Sequence, residues 1–333
     1  MSTIPITFNH TPSYTAVGGT ERLGSTGLSA VILNRGAPYP RFRLFEELEQ
    51  AGFDYVVSLE GNRKRYDLEG LSNSFPFVRF ILPAEDLSRG EEINIAAAEL
   101  PGPHFLVLWN DLRILRGGGA AKIAERFLSS SPVLCIVTVI EDNQLETIPT
   151  LTAPVLVKGK VKTIPFIADQ NGLPSLFPFD GIGIYDRECF LRLGGFDRSL
   201  GNLQGTNPDS FYWQLMDFGF RSWLWGEKIQ VNTGLKISYE GILRAEDQST
   251  GDNSRRFCLK NLAPVFRGDY ANLPLRRFPA FLWAMRFDIL GAWEEFSLVR
   301  EWVKTNRYRF RCDARAVTEL WEKAGHREET ISS

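Results

Sequence analysis

The stretch FLVLWNDLRIL (105–115) runs five apolar residues, Phe105 to Trp109, straight into Asn110 and Asp111. An amide and a carboxylate resist burial. They mark either the exit of a strand to solvent or the delivery of an acid to a site. FDYVVSLE (53–60) ends in the same way, on Glu60. A third carboxylate, Asp209, follows Asn207 and Pro208, which suit an N-cap and a first helical position. Acids are common there because the helix dipole favours them, so Asp209 taken alone reads as structural. Thiol and imidazole chemistry have little to work with. Cys135, Cys189, Cys258 and Cys312 are scattered without a CxxC, as reduced thiols of a cytosolic protein. His10, His104 and His326 lie too far apart for a His-based metal site.

The elements that must position these acids alternate. LSAVILN (28–34), FDYVVSLE (53–60), FVRFIL (77–82), FLVLW (105–109) and PVLCIVTVI (132–140) read as strands. Between them, Phe42, Phe45 and Leu48 mark one helical face ending at Gly52, INIAAAEL (93–100) reads as a short helix, and 119–129 as another. Such alternation predicts an α/β fold with an open, mostly parallel sheet flanked by helices. Sites in such sheets lie beyond the carboxyl ends of the strands, where Glu60 and Asp111 both fall. Residues 141–180 are proline-bearing and read as loops with one or two strands. DGIGIYDRECFLRLGGFD (180–197) reads as a strand, a helix and a Gly-Gly stop, and TNPDSFYWQLMDFGF (206–220) as a helix.

Composition sets the frame. The chain has 333 residues, 44% apolar and 23% charged, which is globular and large enough for one domain or two. The N-terminus lacks the basic start and apolar run of a signal peptide. No run approaches the roughly 18 apolar residues of a spanning helix. A cytoplasmic protein is expected. Residues 255–315 carry 13 Lys/Arg against 6 Asp/Glu, so the C-terminal region is basic on a chain of net charge −2. That balance suits an anionic partner such as a membrane surface, or simply a solvated helical face.

With these residues laid out, the sequence resembles the inverting nucleotide-sugar glycosyltransferases of glycosyltransferase family 2, which have the GT-A (Rossmann-like) fold. WND (109–111) sits where that family has its Asp-x-Asp motif. IYDRECFLRLGGFD (184–197) resembles its strand, helix and Gly-Gly-Phe-Asp turn, and NPDSFYWQLMDFGFRSW (207–223) follows at the distance of its acidic helix start. The resemblance covers roughly residues 28–235. It implies a lead-in over 1–27, a nucleotide-sugar-binding and catalytic domain over 28–250, and a C-terminal helical region over 251–333.

The resemblance also implies a reaction: transfer of a sugar from a nucleoside-diphosphate sugar to a hydroxyl acceptor, with inversion, in bacterial-type surface polysaccharide or glycoconjugate synthesis, and no nucleic-acid partner. Asp111 matches the metal-binding Asp, which would hold Mn or Mg as a Lewis acid on the departing diphosphate. Asp209 matches the general base that takes the acceptor proton. Glu60 stands for the nucleotide-pocket acid, Asn110 in part for a lost ribose or metal contact, Arg89 for a diphosphate contact, Asn94 for the nucleotide-sugar-binding residue of the family's Asn-bearing helix, and Gly181 for a close approach of sugar to backbone. The chain departs from the pattern at Trp109, which replaces the first Asp, at Pro208, which replaces a Glu, and at the missing metal-site His, for which Glu240 is the expected substitute. Those departures leave room for a glycosyltransferase-like binding or assembly subunit without catalysis. A nucleotidyltransferase is a further alternative. NRGAPYPRFR (34–43) offers it Arg35, Arg41 and Arg43 but a single glycine. In the C-terminal region, Phe281, Met285, Ile289, Trp293 and Phe296 predict one amphipathic helix over 279–304, packed on the core or, with its neighbouring arginines, resting on an anionic membrane face.

Overall fold

Short runs rich in Val, Ile and Leu are buried on both faces and become the strands. The computed structural model describes residues 12–23, 27–35, 41–60, 68–115, 120–130, 132–142, 144–157, 160–201, 211–239 and 251–329. Its strands are β1 (Tyr14–Gly18), β2 (Leu28–Leu33), β3 (Tyr55–Leu59), β4 (Val78–Pro83), β5 (His104–Trp109), β6 (Leu112–Leu115), β7 (Cys135–Glu141), β8 (Leu151–Val157), β9 (Lys160–Phe166), β10 (Gly183–Asp186), β11 (Ile229–Tyr239), β12 (Val265–Arg267) and β13 (Tyr270–Asn272). The helices are α1 (Arg41–Ala51), α2 (Leu68–Ser74), α3 (Arg89–Glu99), α4 (Ala120–Ser130), α5 (Arg187–Leu193), α6 (Phe211–Leu224), α7 (Asp252–Phe257), α8 (Phe278–Ala284), α9 (Ile289–Asn306) and α10 (Ala314–Glu329).

One nine-stranded sheet runs in the order β1-β4-β3-β2-β5-β10-β7-β11-β6. β2 pairs in parallel with both β3 and β5, β3 with β4, and β7 with β11. β1, β6 and β10 run the other way. The expected α/β architecture, a mostly parallel open sheet flanked by helices, is the one found. The strand order matters for function. From β2 the chain proceeds outward through β3 and β4, then returns to place β5 on the other side of β2. The junction of β2 and β5 is therefore a topological switch point, where the loops leaving the two carboxyl ends diverge and open a crevice. Leu33 lies opposite Trp109 in that register, so Asn34 and Arg35 leave the sheet beside Asn110 and Asp111.

Local chemistry moves several boundaries. The 93–100 helix begins earlier, at Arg89, because Ser88 and Glu91 form a reciprocal capping box. The lead-in is not wholly irregular, since Tyr14–Gly18 adds an antiparallel edge strand to β4. Residues 141–180 hold the β8–β9 hairpin. The single helix expected over 279–304 is two: Arg286 and Phe287 adopt φ of 53° and 65°, and Asp288 restarts the helix by accepting from the Gly291 amide at 3.1 Å. Helix α7 passes into a π-helical turn at Cys258–Leu262, after which Val265 begins the β12–β13 hairpin. The proposed cap Asn207 and its neighbour Pro208 lie outside the described residues.

α5 ends where Gly194 turns left-handed (φ 86°) and Gly195 follows (φ 62°). That turn drives Phe196 into the core, 4.7 Å from the Phe218 ring and 5.4 Å from Phe211. Behind it Asp197 meets Lys260 of the π-helical turn at 2.5 Å, and Lys260 meets Asp217 of α6 at 3.0 Å, with all three side chains sealed from solvent. Burial alone would raise the Asp217 carboxyl. The Lys260 and Arg221 charges overcome it and hold that carboxyl below its usual range.

Candidate functional site at the β2–β5 switch point

Arg35 leaves β2 and turns across the end of β5. Its backbone amide donates to Asn110 Oδ1 at 3.0 Å, and the Asn110 amide donates to the Leu33 carbonyl at 2.9 Å. The Arg35 guanidinium then bridges two carboxylates from distant segments. Nε donates to Asp111 Oδ2 at 2.8 Å, and Nη1 to Asp180 Oδ2 at 2.5 Å. It lies over the Trp109 ring, 4.4 Å from the centroid, and 5.3 Å from that of Tyr239. Trp109 in turn donates its indole N–H to the Asp180 carbonyl at 3.0 Å. Arg89 approaches the same indole, at 5.2 Å, while its Nη1 grips both oxygens of Glu92. Two guanidiniums thus flank one tryptophan, each ion-paired with carboxylates, in an aromatic-lined corner.

The corner is incomplete as it stands. Arg35 Nη2 and Asp111 Oδ1 are both buried and have no hydrogen-bond partner among the described residues. A buried donor and a buried acceptor left open are costly unless something fills them. A ligand presenting an anionic oxygen and a hydroxyl satisfies both.

Asp180 is held in the left-handed region, φ 51° and ψ 25°, just before Gly181 at φ 73°. Such strain costs a non-glycine residue about 1–2 kcal/mol and is often kept at working sites. Burial pushes the Asp180 carboxyl up to about 6, against the pull of Arg35. A carboxyl raised in the folded state lends stability that is complete below its ordinary value and is lost as pH rises through about 6. At about 1.4 kcal/mol per pH unit the loss is bounded at about 3 kcal/mol. The quarter of the side chain open to solvent brings it lower. Asp180→Asn, which tolerates the left-handed backbone, is therefore expected to flatten the dependence of unfolding free energy on pH between roughly 4 and 7. Urea titrations across that range check it, and an unchanged slope refutes it.

The other expected residues are placed as follows. Glu60 is buried at the end of β3, ion-paired with Arg41 and accepting from Ser58 Oγ at 2.8 Å. Asn94 bonds the backbone of Phe196 twice, accepting from its N–H and donating to its carbonyl, each at 2.8 Å, and so ties α3 to the Gly-Gly turn. The space a Gly181 Cβ would need is taken by the Phe211 ring, 2.8 Å away. Asp209 and Glu240 lie outside the described residues. Asp111, Asn110 and Arg89 thus converge on one corner, next to Gly181, and Glu60 stands one strand away.

A divalent cation fits this corner poorly. Asp111 Oδ2 already faces a guanidinium, whose charge would repel the ion. Among the described residues no group of three His, Cys, Asp or Glu side chains could hold a metal.

No protein-family model matches the chain, and no curated protein does. Among solved structures it is similar to GalNAc-T7, crystallised with UDP, GalNAc and Mn2+. That match has 14% identity and a TM-score of 0.49, over 70% of this chain and 47% of that one. It is also similar to residues 1–349 of S. aureus TarS in complex with UDP-GlcNAc, at 12% identity and TM-score 0.48, over 70% and 65%. The longer S. aureus TarS chain matches at 11% identity and TM-score 0.46, over 82% and 54%. This chain therefore spans between about half and two thirds of those proteins. The site has to be judged by its own side chains.

Arg35 and Asp180 are the residues the sequence reading leaves out of the site. Neither belongs to a periodic pattern, and the contacts of Arg35 with Asp111 and with Asp180 span 76 and 145 positions. One local signal was available: the strand order places the residue after β2 beside the residue after β5, so a charged residue at position 35 is a natural partner for Asp111.

Proposed function

We propose that the chain is a glycosyltransferase that moves a sugar from a nucleoside diphosphate to a hydroxyl acceptor with inversion. The observation that carries this reading is the pair of open atoms, Arg35 Nη2 and Asp111 Oδ1, at the switch point of a mostly parallel sheet. A nucleoside diphosphate offers phosphate oxygens to the first and a ribose or sugar hydroxyl to the second.

In the reaction the acceptor oxygen attacks the anomeric carbon and forms the new C–O bond. The bond from that carbon to the phosphate oxygen breaks, and its electron pair leaves with the diphosphate. Arg35 and Arg89 supply positive charge where the leaving group gains negative charge. Asp209 takes the acceptor proton, a role worth about 10²–10⁴ in rate. Its place in the chain suits that role, two residues before Phe211, whose ring packs on Gly181 beside Asp180. A surface polysaccharide or glycoconjugate precursor is the acceptor class that accompanies this reading. The second reading, a sugar-nucleotide-binding subunit without turnover, draws support from Asp111 being paired with Arg35 already.

A thermal-shift panel of UDP, GDP and dTDP sugars, each in EDTA and in manganese, tests the proposal. Ligand that binds the native state alone stabilises it by about 2.7 kcal/mol at a hundred times Kd, so one nucleotide class should raise the melting midpoint. Release of nucleoside diphosphate from the same sugar nucleotide separates the enzyme from the binding subunit. If no sugar nucleotide shifts the midpoint and none is hydrolysed or transferred, the proposal fails.

A further inference from the structure

The α8–α9 hairpin carries an apolar tip that nothing among the described residues covers. Trp283, Phe287, Ile289, Leu290 and Trp293 are 73%, 66%, 63%, 84% and 52% exposed. Trp293 meets the Phe278 ring edge-on at 5.3 Å, and the rest of the hairpin's packing comes from Phe278, Phe281 and Phe296, with ring centroids 5.3 Å (Phe278–Phe296) and 6.2 Å (Phe281–Phe296) apart. The connecting turn holds Phe287 outward. Arg286 and Phe287 are both left-handed, a conformation that bulky residues avoid. The turn is fixed by the Phe287 amide donating to the Leu282 carbonyl at 3.0 Å and by the Asp288 cap on Gly291.

Exposed apolar patches of this kind mark a surface that is covered in use. Charge decides by what. Arg286 in the turn and Arg276 and Arg277 before α8 are exposed, and residues 255–315, which contain the hairpin, carry 13 Lys/Arg against 6 Asp/Glu. A second copy docked two-fold on this face would bring two arginine-rich rims together. An anionic bilayer meets the rim with opposite charge and the tip with acyl chains, and tryptophan suits the boundary between them. No helix among the described residues is long and apolar enough to cross a membrane, so the contact is one of lying on the surface. We propose that the α8–α9 tip docks the protein on anionic membrane surfaces, with Trp283, Phe287, Ile289 and Leu290 entering the interface and Arg276, Arg277 and Arg286 at the headgroups. This inference is independent of the nucleotide site.

Co-sedimentation with phosphatidylcholine vesicles, with and without phosphatidylglycerol, at low and moderate salt, tests it. The protein is expected to bind the anionic vesicles, more weakly as salt rises, and to leave neutral ones largely free. Phe287→Asp with Leu290→Asp should weaken binding about tenfold or more, and Arg276→Ala with Arg277→Ala should weaken it and reduce its salt dependence. Brominated lipid should quench tryptophan fluorescence in the parent and much less in Trp283→Phe with Trp293→Phe. Absence of binding to anionic vesicles, or binding that the tip substitutions leave intact, overturns the proposal. So does a dimer in sedimentation velocity that the tip substitutions dissolve while vesicle binding is lacking, which would give the face to a second copy.

Discussion

Lys260→Met is expected to destabilise the protein by about 3–5 kcal/mol, the range for breaking a buried ion pair from one side. Against a typical total of about 5–15 kcal/mol, that leaves the variant partly unfolded or close to it at room temperature. Lys260 is the single cation that touches both Asp197 and Asp217 among the described contacts, at 2.5 and 3.0 Å. Removing it leaves Asp197 in a sealed interior without a counter-charge among the described contacts, held by the Ser199 amide and hydroxyl at 2.9 and 2.7 Å. Asp217 still has Arg221 at 3.1 Å and the Asn261 amide at 2.8 Å. The rescue follows from that asymmetry. Adding Asp197→Asn to Lys260→Met restores charge balance and should recover part of the loss, whereas Asp197→Asn alone leaves Lys260 with Asp217 and costs less than Lys260→Met. Urea unfolding of the three variants measures the coupling.

The pH dependence has a defined sign. Asp217 is held below the usual carboxylate range, so its contribution is present above that range and fades as pH falls through its lowered value. In Lys260→Met two buried carboxylates are left, among the described contacts, with the single Arg221 charge, so mild acid should now stabilise the variant relative to neutral pH. A variant that melts like the parent would mean that the cluster contributes no net stability.

That cluster also marks where the sequence stopped being informative. The strands were legible because burial on both faces leaves an unbroken apolar run, as in Phe105 to Trp109. The Gly194–Gly195 stop was legible because a left-handed turn nearly requires glycine. The capping box at Ser88 and Glu91 was legible in principle, but the apolar pattern begins only at Ile93 and draws the eye past it. The break at Arg286 and Phe287 was not, since no glycine or proline announces it and only Asp288 hints at a restart. Contacts such as Lys260 with Asp197, 63 positions apart, leave no local trace. A buried lysine and a surface lysine look the same in a sequence until the fold brings their partners together. The candidate site divides along the same line. Asp111 could be read from its place at a strand end. Arg35 and Asp180 could be read only from the way the chain returns to β2.

Arg35→Met is the substitution with the largest expected functional effect. The guanidinium is the positive charge shared by Asp111 and Asp180, and its Nη2 is the open donor. Loss of a preorganised charge of this kind typically lowers kcat by about 10²–10³, and nucleotide affinity should fall with it. Arg35→Lys should recover little, because an ammonium cannot reach two carboxylates and a phosphate with the fixed geometry of a guanidinium. Without the Arg35 charge, the Asp180 carboxyl loses the influence that lowers it and rises above about 6.

The decisive contrast is with metal. On the proposed function, the Arg35 guanidinium stands where a divalent cation would bring its charge, so sugar-nucleotide binding by the parent should be as strong in EDTA as in manganese. In Arg35→Met, Asp111 and Asp180 face each other unneutralised, and manganese should raise the melting midpoint where it has no effect on the parent. Isothermal titration of the nucleotide, with each protein in EDTA and in manganese, reads both halves at once. If the parent needs manganese to bind nucleotide, the cation is part of the site. Arg35 must then swing away from Asp111 to admit it, and its role becomes that of a latch on the empty site.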